Sequence, residues 1–293
     1  MRARIFLVTG RRILMRSMRE IQAEIAGVKD KSQMISRSMT SVSLSDQKFC
    51  PFCGKEQTPS KFRGRYLICK CDEAQEYLRK LNELKTLSDQ LENLQTEADN
   101  YAARSKRLWE ESDVGDRYKN ARLENFNAAG YEQQFERIVQ YAAGFDKNKG
   151  HGLILMGPCG TGKTYLAAAI AHHVIEHFGM SVWFKTWAEM LLEIRSTFNG
   201  SGNTGDVIKK FLEVDLLVID DLGKDKVSDW TQEQMYTIIN GRYRKCRPVI
   251  ITTNYNMPTL MQRVDPAVLS RLKESCTTIR MVGPDYRLRK EAV

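Results

Sequence analysis

No stretch of this sequence approaches the roughly 20 consecutive apolar residues that a helix needs to cross a bilayer, so neither a transmembrane helix nor a membrane partner is expected. The run Ile5-Phe6-Leu7-Val8 is too short for the apolar core of a secretory leader, and no small-residue cleavage site follows it. Proline is scarce, with 7 in 293 residues, and the 19 glycines and 42% hydrophobic content rule out a fibrous or disordered composition. Seven cysteines, an odd number in a chain without a leader, fit a reducing, cytoplasmic setting better than a disulfide framework. A strong charge of one sign is also missing from most of the chain. Of the net +9, most sits at the start: residues 1–48 hold 10 Lys and Arg against 4 Asp and Glu, residues 49–112 hold 11 against 11, and residues 113–293 hold 24 against 21. Bulk charge therefore says little about nucleic acid, and any such contact has to come from a local patch.

What is there divides into three parts, on a prior of one domain of about 150 to 200 residues plus a smaller one. Residues 1–48 read as an extension and linker, partly disordered. They have one helical pattern over residues 18–28, then a Ser/Thr-rich run over residues 32–45. Residues 1–19, with six Arg and no acid, suit an organellar transit peptide as well as an upstream extension before a later start at Met15, Met18, Met34 or Met39. Residues 49–112 combine a cysteine-rich module with a long helix, since residues 72–111 contain neither Pro nor Gly. In that helix Leu84, Leu87, Leu91, Leu94, Ala98, Tyr101, Ser105 and Leu108 follow alternating three- and four-residue steps, a single seam that needs a partner. A second chain, the cysteine module and the following domain all remain open as that partner.

From about residue 113 short apolar runs alternate with helical stretches, the pattern of an α/β domain with a parallel sheet flanked by helices. Strands are predicted at 152–156, 181–185, 216–220, 249–253 and 277–281. The first runs into Gly157-Pro158-Cys159-Gly160-Thr161-Gly162-Lys163-Thr164, which matches the phosphate-binding loop G-x-x-x-x-G-K-[ST] and opens a helix. Glycines let successive N–H groups face phosphate oxygens, Lys163 neutralises β/γ-phosphate charge, and the Thr164 hydroxyl is placed to ligate Mg²⁺, so ATP and Mg²⁺ are the expected ligands. Cys159 reads as a small residue that the loop tolerates rather than a catalytic thiol. The strand Leu216-Leu217-Val218-Ile219 ends in Asp220-Asp221, the form of a Walker B element. Asp220 is expected in the Mg²⁺ shell and Asp221 as the base that polarises water. Asn254, after the next buried strand, is positioned to orient that water. Ser270-Arg271-Leu272 and Asp285-Tyr286-Arg287 add two further arginines.

Cys50-Pro51-Phe52-Cys53 and Cys69-Lys70-Cys71 place four thiols within about twenty residues, a set suited to tetrahedral Zn²⁺, although the second pair has one intervening residue rather than two. A four-thiolate shell has no open position, so its role would be structural, fixing a module too small to hold itself by burial.

Over residues 115–287 these elements resemble the AAA+ ATPases, and more narrowly the bacterial helicase loaders of the DnaC/DnaI type and the related IstB-type transposition helpers. The resemblance rests on the entry segment Arg117-Tyr118-Lys119-Asn120-Ala121-Arg122-Leu123-Glu124-Asn125-Phe126, the phosphate loop and Val218-Ile219-Asp220-Asp221-Leu222-Gly223. It rests as well on Thr252-Thr253-Asn254 and the two arginine turns. It implies Arg271 as an arginine finger reaching a neighbour's nucleotide, Arg287 as the second sensor in cis, and ATP-dependent homo-oligomers. Many relatives carry Glu in place of Asp221, so slow hydrolysis is implied. The resemblance further implies a hexameric replicative helicase bound through residues 49–112. It also implies single-stranded DNA contacts between the second strand and the Walker B element, from Phe184-Lys185-Thr186-Trp187 to Arg195 and on to Lys209 and Lys210; Trp183 and Trp187 equally suit a core. The alternatives are a transposition helper acting on duplex DNA and an ATP-gated adaptor with little turnover.

Overall fold

The computed structural model describes all residues except 1–3, 9–10, 16–17, 40–45, 62–64, 200–202, 224–226, 284 and 287–293, and of residues 4–15 only the backbone. The chain divides into two units, Met1–Tyr101 and Ala102–Val293. Among the described residues no helix is long and apolar enough to cross a membrane.

In the first unit, strands β1 (Arg4–Val8) and β2 (Arg11–Met15) pair antiparallel, and helix α1 spans Met18–Arg37. The Pro- and Gly-free run folds as one 40-residue helix, α2 (Asp72–Glu111), which continues into the second unit. Its seam finds a partner within the chain: Ile21, 1% exposed, packs with Met18, Ile25 and Val28 of α1 against Leu94, Ala98 and Tyr101. Burial of such side chains is worth about 1.5–3 kcal/mol each when complete. Ile21 sits beside the later part of α2 while Lys31 pairs with Glu83 at 2.8 Å, so the two helices run antiparallel. This corrects the sequence reading of residues 32–45 as linker from their first residue. The helix carries on to Arg37 because straight-chain residues and the absence of Pro outweigh the serines.

The second unit is built on five parallel strands: β3 (Gly152–Met156), β4 (Val182–Thr186), β5 (Leu216–Asp220), β6 (Val249–Thr253) and β7 (Cys276–Arg280). Three match the sequence boundaries, and the strands expected at 181–185 and 277–281 are each displaced by one residue. The spatial order is β4-β5-β6-β3-β7, so the strand leading into the phosphate loop lies between two strands from much later in the chain. Every residue of β3, β5 and β6 is buried.

Side chains alternate between the faces of a sheet. Ile154, Met156, Leu217, Ile219 and Ile251 join one core cluster with α5 (Trp187–Ser196), α6 (Thr204–Glu213), α7 (Asp229–Arg244), α8 (Met257–Arg263) and α9 (Pro266–Ser275). The alternate positions Leu153, Leu155, Val218 and Ile250 point to the opposite face, where α4 (Lys163–Phe178) crosses β4, β5 and β6 with α3 (Glu132–Ala143) beside it. Trp109, near the end of α2, stacks on His172 of α4 with ring centroids 3.4 Å apart. Arg242 is fully buried and donates to the carbonyls of Phe211, Val214 and Pro248, tying the end of α6 to the entry of β6. Burial, reinforced by repulsion from Arg247, brings its pKa down to about 9.

Candidate nucleotide site and cysteine cluster

The loop after β3 is shaped by residues that only glycine suits. Gly160 has φ +74°, and a Cβ there would sit 1.6 Å from Oδ1 of Asp285; Gly162 has φ +87°, with the Phe126 ring 2.7 Å from where its Cβ would be. The left-handed backbone strains any side chain at both positions, and Asp285 and Phe126 would have to move to admit one. Gly162 caps α4, so the free N–H groups of that helix open onto the loop. Lys163, 5% exposed, donates to the carbonyl of Pro158 at 2.7 Å, and the Thr161 hydroxyl donates to the same carbonyl at 3.0 Å. Cys159 is exposed on the rim.

The loop forms one wall of a cleft of about 660 Å³, within the range for small-molecule sites. Arg117, Tyr118 and Phe126 line it from the entry segment, and Tyr286 lines it from the far end of the chain. Two backbone bonds hold that far end in place, from Met281 N–H to the Met156 carbonyl at 2.7 Å and from Tyr286 N–H to the Gly160 carbonyl at 3.0 Å.

The parallel pairing of β5 with β6, Ile219 opposite Ile251, sets Asp220 beside Thr252. Asp220, 6% exposed, accepts from the Thr164 hydroxyl at 3.0 Å and from the Thr252 hydroxyl. The hydroxyl and carboxylate assigned to Mg²⁺ from sequence therefore converge, and oxygen donors of this kind are the ones that ion takes. Asp221 follows with φ +55°, a conformation L residues rarely adopt. Its side chain accepts from Nδ2 of Asn254 at 3.0 Å, and both residues line the same cleft as Lys163.

Arg271 is not part of that cleft: on α9 its guanidinium donates to its own helix at the Ala267 carbonyl. Arg287 lies outside the described residues. Sequence reasoning did not assign Thr252 a role. The only signal was a pair of hydroxyls in the otherwise apolar strand Val249-Ile250-Ile251-Thr252-Thr253, and both are buried and bonded across to the Walker B segment.

In the first unit, the four sulfurs of Cys50, Cys53, Cys69 and Cys71 all lie within 4.8 Å of one another, with Cys50–Cys71 at 3.7 Å and Cys53–Cys69 at 3.5 Å. Tetrahedral zinc with bonds of about 2.3 Å spaces its sulfurs roughly 3.8 Å apart, so the set fits that ion. Burial pushes the Cys50 thiol up, but N–H groups of Cys53 and Phe52 outweigh it and bring the pKa down to about 7. Cys71 accepts the Ala74 N–H at the start of α2, yet burial and the three neighbouring sulfurs push it up to about 12. Four thiols this close cannot all ionise unless a cation shares their charge.

The segment proposed to meet DNA is only partly available. Trp187 is 2% exposed and belongs to the core, which removes it as a stacking surface. Trp183 packs on Phe211, with the ammonium groups of Lys185 and Lys210 over its ring. The open aromatic surface lies further on, where Arg195 stacks over Trp230 at 4.6 Å and the exposed Phe198 meets the same ring edge-on.

A parallel sheet in the order β4-β5-β6-β3-β7, a phosphate loop at the end of β3 and an aspartate pair at the end of β5, the next strand but one, define an AAA+ ATPase. The chain belongs to the family of IstB-like ATP binding proteins, which matches residues 74–293. It is 29% identical over 180 residues to the replicative helicase loader DnaC of Escherichia coli (strain K12), covering 60% of this chain and 73% of that protein. It is 27% identical over 197 residues to the phage-like element PBSX protein XkdC of Bacillus subtilis (strain 168), covering 62% and 73%. The crystal structure of the DnaC helicase loader superposes with a TM-score of 0.53 at 28% identity, over 57% of this chain and 99% of that one.

Proposed function

We propose that this ATPase is a helicase loader of DNA replication, acting in the cytoplasm. ATP-bound copies assemble, hold a hexameric replicative helicase through residues 49–112, and release it on single-stranded DNA as ATP is hydrolysed by residues 113–293. The observation that carries this reading is the combination of a four-cysteine module with an antiparallel helix pair ahead of a domain 29% identical to the loader DnaC.

Within the site, the phosphate loop and Lys163 bind the triphosphate, while Thr164 and Asp220 would hold Mg²⁺, which neutralises phosphate charge. Asp221 takes the proton of the attacking water and Asn254 fixes the orientation of its carboxylate, contacts supported by the 3.0 Å bond between them. Arg271 is the finger given to a neighbouring copy, in keeping with its place outside its own cleft. Arg287 is assigned to the same chain's nucleotide from sequence alone. Cys50, Cys53, Cys69 and Cys71 would hold Zn²⁺ as a structural ion. Single-stranded DNA would stack on Phe198 and Trp230 beside Arg195, with Lys209 and Lys210 on its backbone.

Co-purification with the replicative helicase of the host or of a resident phage tests the reading, and a chain that captures none in the presence of ATP sinks it. The family match favours a second reading, a transposition helper on duplex DNA. ATP-dependent filaments on double-stranded DNA, without helicase binding, would establish that one. An ATP-gated adaptor is separated by rate: Lys163→Ala would then abolish assembly while Asp221→Asn left loading intact.

A further inference from the structure

Arg271 is held where it stands by aromatic faces. Tyr236 and Tyr243 are seven residues apart on α7, two helical turns, and so project from the same side of that helix. The Arg271 guanidinium lies 5.2 Å from the ring centroid of Tyr236 and 5.9 Å from that of Tyr243, both within cation–π range. Nη1 donates to the Ala267 carbonyl at 2.8 Å, and the Ser275 hydroxyl donates to the Arg271 carbonyl at 2.7 Å. The Glu274 carboxylate, on the same helix as the arginine, pushes the Tyr243 phenol pKa up. Among the described residues no carboxylate lies within salt-bridge distance of Arg271, so the rings restrain the side chain without neutralising it. Tyr236 stays 39% exposed, leaving this face open to solvent.

We infer that Tyr236 and Tyr243 are positioning residues that hold the Arg271 guanidinium in readiness for the nucleotide of a neighbouring copy. An arginine already confined on two rings loses little freedom when the neighbour arrives, and the rate gained from a finger depends on its placement. The mount spans two packed helices, α7 carrying the tyrosine rings and α9 the arginine. The inference rests on the proposed role of Arg271 in trans.

Mixtures of two full-length variants test it. Asp221→Asn copies supply a finger but no base, and Arg271→Ala copies supply a base but no finger. Mixing them restores ATPase activity if the arginine acts across the interface. Adding Tyr236→Leu and Tyr243→Leu to the Asp221→Asn copy is expected to lower the restored kcat by about ten- to a hundredfold, with KM little changed. Tyr236→Phe and Tyr243→Phe keep the ring faces and should hold the rate within about twofold. The Leu pair placed instead in the Arg271→Ala copy, which lends no finger, should not lower the restored rate, whereas general instability would lower it in either copy. An unchanged rate with the Leu pair in the finger donor, or an equal fall in both arrangements, overturns the inference. No recovery in the parent mixture overturns the trans finger itself, and the positioning role with it.

Discussion

The hydroxyl of Thr252 joins Asp220 to Asp221: it donates to the carboxylate of the first and accepts the backbone N–H of the second at 3.0 Å. One side chain on β6 thus fixes the direction of a buried carboxylate and the left-handed turn that aims the next one. Thr252→Val keeps the shape and removes both bonds. It should reduce stability by about 1–3 kcal/mol, the range for leaving buried polar groups unpaired. Turnover should fall by at least roughly tenfold as both carboxylates lose their setting. Urea unfolding and steady-state ATPase assays read the two effects.

Asp221→Asn preserves the hydrogen-bonding shape beside Asn254 but cannot take a proton. Nucleotide affinity should stay within a few-fold of the parent while kcat drops by about 10²-fold or more. Equilibrium binding of a fluorescent ATP analogue, set against single-turnover hydrolysis, separates the two quantities. A matching loss in both would assign Asp221 to binding instead.

The cysteine cluster predicts one zinc per chain by elemental analysis, falling to well below half in Cys53→Ser. Chelation should unfold the module ahead of α2 while leaving ATP binding intact, since the nucleotide cleft draws only on residues after 116. Circular dichroism before and after chelation, with ATP binding followed in parallel, checks both halves of the statement.

Glu176 of α4 links the P-loop helix to the entry segment through Arg122, at 2.7 Å, and to His172. Hydrogen bonding to His172 first, then the charge of Arg122, holds its pKa below the usual carboxylate value near 4.5. A carboxylate with a depressed folded-state pKa stabilises above the unfolded value and loses that contribution as pH falls through the folded one. Glu176→Gln should therefore lower stability near neutral pH, by at most about 1 kcal/mol given its partial exposure. The difference should shrink as the pH is lowered from neutral to a value below the folded-state pKa, where the parent is protonated as well. Denaturant titrations at the two pH values measure it.

Much of the nucleotide site could be read from the sequence because its pieces are local. A glycine loop between an apolar strand and a helix, or two aspartates at a strand end, are set by neighbours in the chain, and β3, β5 and β6 fall where periodicity placed them. Helix α2 was equally legible, since nothing in residues 72–111 interrupts it. Whatever depends on the far side of a contact was not. Trp183 on β4 and Trp187 at the start of α5 pack on the same core, and spacing alone could not show that the second is buried and the first only partly so. The partner of Leu94 and Tyr101 was hidden because the stripe Met18, Ile21, Ile25 and Val28, though regular, does not say which helix it meets. The tyrosines beneath Arg271 sit on another helix, so only the packing of α7 on α9 reveals them.

The strand order has a bearing on biosynthesis. Because β3 is flanked by β6 and β7, the phosphate loop leaves the ribosome long before either strand that borders it exists. A nascent chain halted after α4 would hold every residue of the glycine motif and still have no grip on a nucleotide. The cysteine cluster and the packing of α1 on α2 lie, by contrast, within the first unit, whose residues are all made before the sheet is, and can form while the remainder is being translated.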